Sequence, residues 1–87
     1  MKMIFAIIKD DDVENVSQAL TVSAYRFTRV ATTGGLFKKG NTTLLSGVED
    51  TQVESFINVL KENTAADANG RKGVTVFVMP VNHFEQI

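Results

Sequence analysis

The chain contains no cysteine and no tryptophan, and only one proline, one histidine and one tyrosine. Without cysteine there is no disulfide framework, no thiolate metal site and no thiol nucleophile. A reducing compartment is what this points to, so we expect a cytoplasmic protein. The lone His83 lacks the nucleophile and the orienting partner that a catalytic base requires, and it reads as a residue of the tail. No apolar run approaches the roughly 20 residues of a membrane-spanning helix. MKMIFAII runs straight into Asp10, Asp11 and Asp12 without a cleavage-site pattern, so it reads as a strand and not as a signal. Basic residues are not in excess either: nine Lys and Arg stand against ten Asp and Glu, for a net charge of −1. That excludes a general binder of DNA or RNA, which carries a basic surplus. No linker or low-complexity tract divides the 87 residues. We therefore expect one domain over residues 1–87.

What is present is a set of short periodic segments. Residues 3–8 form a continuous apolar run of strand length. The three aspartates that follow suit the start of a helix, where carboxylates meet the positive end of the macrodipole. They read as capping and solvated charge, and no metal is expected there. Val13, Val16 and Leu20 then fall on one helical face. Residues 25–33 read as a second strand, with Arg26, Thr28 and Val30 on one side and Phe27, Arg29 and Ala31 on the other. Gly34 and Gly35 break it, and residues 41–48 return as a third strand. Thr51 and Glu54 have the spacing of a capping box, followed by Val53, Phe56, Ile57 and Leu60 on one helical face as far as about residue 63. Residues 64–73 read as a loop, and residues 74–79 as a fourth strand ended by Pro80. Strand, helix, strand, taken twice, predicts an α+β ferredoxin-like βαββαβ fold: an antiparallel sheet with two helices on one face.

The first and fourth strands carry a further signal. Ile4, Ala6 and Ile8 alternate with Met3, Phe5 and Ile7, and both sets are apolar. Val74, Val76 and Val78 alternate with Thr75, Phe77 and Met79, again mostly apolar. Two helices cover one face of a sheet, and a one-sided antiparallel sheet alternates apolar with polar. Each large apolar side chain left in water forgoes roughly 1.5–3 kcal/mol of burial. The pattern therefore predicts that further copies of the chain cover the second face.

Residues 25–50 hold the candidate ligand site. Gly34, Gly35 and Gly40 allow close backbone approach, Thr32, Thr33, Thr42 and Thr43 offer hydroxyls, and Arg26, Arg29, Lys38 and Lys39 supply positive potential. The combination suits a phosphate-bearing ligand. It is not a P-loop, because GLFKKGNTT lacks the G-K-[ST] ending and the helix that follows one.

ATTGG at residues 31–35, GNTT at 40–43, VFVMPV at 76–81 and the opening MKMIFAII resemble the PII-like cyclic di-AMP receptors, of the nitrogen-regulatory PII-like signal-transduction superfamily. The resemblance covers residues 1–63 and resumes at residue 74. It implies a homotrimer of ferredoxin-like subunits that binds cyclic di-AMP in the clefts between neighbours and passes the bound state to a protein partner, without catalysis and without a cofactor. By position it implies that Arg26 and Thr28 face the phosphates, that Gly35, Leu36 and Phe37 border an adenine, and that Asn41 bonds the ligand or braces the loop. It also implies that the Gly47 backbone and the Gln86 side chain read adenine edges, with Phe77 nearby. Arginine offers a fork to phosphate oxygens, an aromatic ring stacks on a base, and glutamine supplies the donor and acceptor an adenine edge requires. The chain departs from the family at two places. It has Leu36-Phe37 where the family usually reads Phe-Leu, and only residues 64–73 where the family usually carries a long loop. A divergent trimer that binds another nucleotide, or only a protein, is the alternative reading. A third, enzymatic, reading is an acylphosphatase, an enzyme with an arginine-bearing phosphate loop plus an asparagine, with Arg26 and Asn41 cast in those roles, but DDDVEN stands where the glycine-rich phosphate cradle after the first strand belongs, and carboxylates repel phosphate.

Overall fold

The computed structural model describes residues 1–30 and 40–87. Four strands and two helices follow one another in the expected order: β1 (Lys2–Lys9), α1 (Val13–Val22), β2 (Thr28–Val30), β3 (Asn41–Val48), α2 (Val53–Glu62) and β4 (Thr75–Pro80). The strands form one antiparallel sheet in the order β2-β3-β1-β4. Short 3-10 turns, Asp10–Asp12 and Asp50–Gln52, lead into the two helices. This is the ferredoxin-like α+β fold.

The core lies between the helices and one face of the sheet. Ile4, Ala6 and Ile8 from β1 and Leu44 and Val48 from β3 meet Val13, Val16 and Leu20 from α1 and Phe56 and Leu60 from α2, all buried. The period of two in the strands and of 3.6 in the helices brings these residues to one layer. The opposite face is apolar and lightly covered. Met3, Phe5, Ile7 and Leu45 are half-buried, while Phe77 is 54% and Met79 42% exposed. A shallow hollow of about 260 Å³ lies there, lined by Phe5, Ile7, Thr43, Phe77 and Met79.

Three local features differ from the sequence expectation. Regular pairing of β2 starts at Thr28 and not at residue 25. The cause is the end of α1, where Ala24 N–H donates to the Thr21 carbonyl and Tyr25 N–H to the Leu20 carbonyl, with Ala24 at φ 64°. This is a Schellman turn with alanine where glycine is usual, and it occupies residues that would otherwise extend the strand. The box that opens α2 sits two residues earlier than Thr51 and Glu54. The Glu49 N–H donates to Gln52 Oε1 at 3.1 Å, and this E-x-x-Q pair caps the 3-10 turn instead. Finally, Asp12 is buried, while Asp10 and Asp11 are exposed. Asp12 Oδ1 accepts the Ala65 N–H at 3.2 Å. The helices follow antiparallel strands, so the end of α2 returns to the start of α1, and Asp12 fastens the two.

The loop after α2 is compact. Thr64 is buried and its hydroxyl donates to the Leu60 carbonyl at 2.9 Å. Asp67 Oδ1 accepts the N–H groups of Asn69 at 2.8 Å and Arg71 at 2.9 Å. These two bonds hold the Asp67 carboxyl below its ordinary pKa. Gly70 and Gly73 take φ of 78° and 66°, which closes the turn at positions where a side chain would be strained.

Candidate functional site

A large cavity, about 1060 Å³, opens at one end of the sheet, where β1 begins, β3 ends and the C-terminal tail passes. That is the upper end of the roughly 300–1,000 Å³ typical of ligand sites. Four of the residues singled out from the sequence line it: Arg26, Thr28, Gly47 and Gln86. The register explains the grouping. Thr28 lies opposite Leu45 in the β2–β3 ladder, and Arg29 opposite Leu44. Extending that ladder by two pairs brings Arg26 beside Gly47, both on the face away from the helices. Gly47 in turn pairs with Met3. A Cβ built on Gly47 would stand 3.3 Å from the Met1 side chain, so glycine keeps the cavity wall open there.

Strand alternation divides the two arginines. Arg29 points to the helices, where its Nη2 donates to Glu14 Oε1 and to Ser17 Oγ, both at 3.0 Å. Its charge is engaged by α1. Arg26 is exposed, and among the described residues its guanidinium has no ion-pair partner. The backbone around it is anchored twice. Ser46 Oγ donates to the Arg26 carbonyl at 2.5 Å, and the ring of the preceding Tyr25 packs edge-on against Phe56 with centroids 5.2 Å apart. The tail is tied to the first residue through the Val81 N–H and the Met1 carbonyl, 3.1 Å apart, which brings Gln86 to the cavity. The Met1 amino group lies 3.0 Å from Asp50 Oδ1, and this contact keeps the Asp50 carboxyl below its usual range.

The other expected site residues are placed differently. Asn41 begins β3 opposite Lys9, six residues from Gly47 and so about 20 Å away along the strand. Phe77 lies in the same cross-sheet row as Phe5, Leu45 and Thr28, three strands from the last, or about 14 Å. It faces the apolar hollow and not the Arg26 cavity. Gly35, Leu36 and Phe37 lie outside the described residues, as do Lys38 and Lys39. Sequence reasoning missed Tyr25, Phe84 and Glu85, which also line the cavity. Phe84 and Glu85 immediately precede Gln86, and that adjacency was the available signal. The Glu85 carboxylate stands 3.7 Å from His83 Nε2.

An antiparallel ferredoxin-like sheet with an exposed arginine, a backbone glycine and a glutamine gathered at one cavity defines a class of small α+β domain. The particular family follows from comparison: the chain belongs to the cyclic-di-AMP receptor family, whose model matches residues 1–70. Among solved structures it is similar to one described as the crystal structure of a functionally unknown protein from Pediococcus pentosaceus ATCC 25745. The two are 29% identical, with a TM-score of 0.81 over 99% of this chain and 96% of that one. Among the described residues, no helix is long and apolar enough to cross a membrane.

Proposed function

We propose that residues 1–87 act as one non-enzymatic signalling domain, which assembles as a homotrimer, binds cyclic di-AMP in clefts between subunits and transmits the bound state to a protein partner. The observation that carries the ligand reading is the convergence of Arg26, Thr28, Gly47 and Gln86 on one cavity. These residues supply a cation, a hydroxyl, a close backbone approach and a base-reading amide, which are the groups a cyclic dinucleotide needs. Membership of the cyclic-di-AMP receptor family supports the same ligand.

Two observations support the assembly. The sheet face bearing Phe77 and Met79 is apolar and exposed in the single chain, and a symmetric assembly that covers it stabilises the fold. In addition, Asn41 and Gly47 stand too far apart along β3 to meet one end of a ligand through one chain. A cleft between subunits brings the Asn41 end of one copy toward the Gly47 end of another. The same distance counts against an acylphosphatase, in which an arginine and an asparagine act on a single phosphate. The compact loop after α2, fixed by Asp67, favours one variation: an output that does not use a long responsive loop there.

Calorimetry with cyclic di-AMP, its guanine counterpart and ATP tests the ligand reading, with binding expected to the first. No heat at high micromolar cyclic di-AMP refutes it. Gel filtration with light scattering tests the assembly, and a monomer at micromolar concentration refutes that part.

A further inference from the structure

Reading an adenine takes two groups, a surface for its face and a donor–acceptor pair for its edge. We propose that Phe84 is the base-stacking ring of the Arg26 cavity, paired with Gln86 as the edge reader. This rests on the cyclic di-AMP reading of that cavity and assigns a ring to the base that Gln86 reads.

Among the described residues, three rings line the cavity: Tyr25, Phe27 and Phe84. The first two are half-buried and packed against the core, and Tyr25 already abuts Phe56 edge-on. Both are thereby tied to the core. Phe84 is 62% exposed and, among the described residues, meets no other ring. Phe77 also has an exposed ring, but it fronts the separate apolar hollow. Among the described residues, Phe84 is therefore the most exposed ring of the cavity. Its spacing from Gln86 suits the task. Phe84 and Gln86 are two residues apart and both line the cavity, so one planar base there can meet both. The tail is held at the cavity by the bond between the Val81 N–H and the Met1 carbonyl. A base laid on Phe84 also removes from water an apolar ring that is exposed in the free protein.

The absence of tryptophan from the sequence makes the test direct. Phe84→Trp places a single indole at the cavity, and Phe84→Ala and Phe84→Leu remove the ring, the latter keeping apolar bulk. Cyclic di-AMP is titrated into each by calorimetry, and into Phe84→Trp also by fluorescence, after light scattering has matched each oligomer to wild type. Loss of the ring should weaken binding by about 5- to 150-fold, the span of base–aromatic stacking, in both the alanine and the leucine variants. Phe84→Trp should keep wild-type affinity, and its emission should be quenched with the calorimetric midpoint. Wild-type affinity in Phe84→Ala or Phe84→Leu overturns the stacking role, as does indole emission unchanged at saturation. Both outcomes leave the ligand reading standing. Failure of the wild-type protein to bind cyclic di-AMP overturns the ligand reading and the stacking role together.

Discussion

Arg26→Ala is the perturbation that bears most directly on the site. The guanidinium is exposed, lines the large cavity and has no ion-pair partner among the described residues. Removing it therefore breaks no ion pair among the described residues, and stability should stay within about 0.5 kcal/mol of wild type, as for most surface substitutions. Binding should change far more. A hydrogen bond to a charged group contributes about 1.5–3 kcal/mol, which corresponds to roughly ten- to a hundredfold in affinity for cyclic di-AMP. Arg29→Ala is the matched control, with the same charge two strand positions beyond Phe27 on the opposite face. It should leave the local contacts to phosphate intact and cost about 0.2–1 kcal/mol of stability, because the exposed Glu14 pair is lost. Any effect it has on binding arises at long range, so it should fade as salt is raised, whereas the Arg26 effect should persist. The assay is calorimetric titration of wild type and both variants at low and high salt, with urea melts and light scattering in parallel. Unchanged affinity in Arg26→Ala with the oligomer intact would place the phosphates elsewhere and refute the reasoning.

Gln86→Ala should cost less affinity than Arg26→Ala but narrow the preference for cyclic di-AMP over its guanine counterpart, because the amide reads a base edge; a parallel loss for both ligands would contradict that role. Ala24→Gly should raise stability by about 1 kcal/mol, since it relieves an L residue at φ 64° in the Schellman turn, and a lower urea midpoint would show that the turn is not strained. Asp67→Asn tests the loop after α2 through pH. The folded Asp67 carboxyl titrates below its usual 3.8 because Arg71 and Asn69 N–H groups bond it. The stability it contributes is therefore complete above 3.8 and is lost as pH falls through the lower folded value. Wild type should be more stable than Asp67→Asn at pH 7, with the gap closing in acid, and a gap independent of pH in urea melts would be inconsistent with the charge mattering.

The periodic segments were legible before any coordinates. Val13, Val16 and Leu20 on one helix and Phe56 and Leu60 on the other enter the core as their spacing requires, because that spacing is a property of the backbone itself. The two apolar sides of β1 likewise follow from a period of two, and one side is now seen buried and the other half-buried. Strand alternation in residues 26–30 divided Arg26 and Thr28 from Arg29 in the same way. Local hydrogen bonding was less legible. A glycine-free Schellman turn at Ala24 and an E-x-x-Q box at Glu49 carry weak residue signatures, and they shifted the start of β2 and the cap of α2.

The sequence by itself determined the order of elements, the faces of each strand and, through its motifs, the family. Only the tertiary structure decided which chemistry meets which. Register and strand order bring Gly47 to Arg26, while leaving Asn41 at the far end of β3 and Phe77 three strands away. Fastening the tail to Met1 brings Phe84 and Gln86, near the end of the chain, to the cavity that β1 begins. The same packing buries Asp12, an acid that its neighbours in sequence would place in solvent. Periodicity is written in residues a few positions apart, whereas a site is assembled from residues as far apart as Met1 and Gln86. That assembly depends on which strand pairs with which, and at what offset, and no short stretch of sequence encodes it.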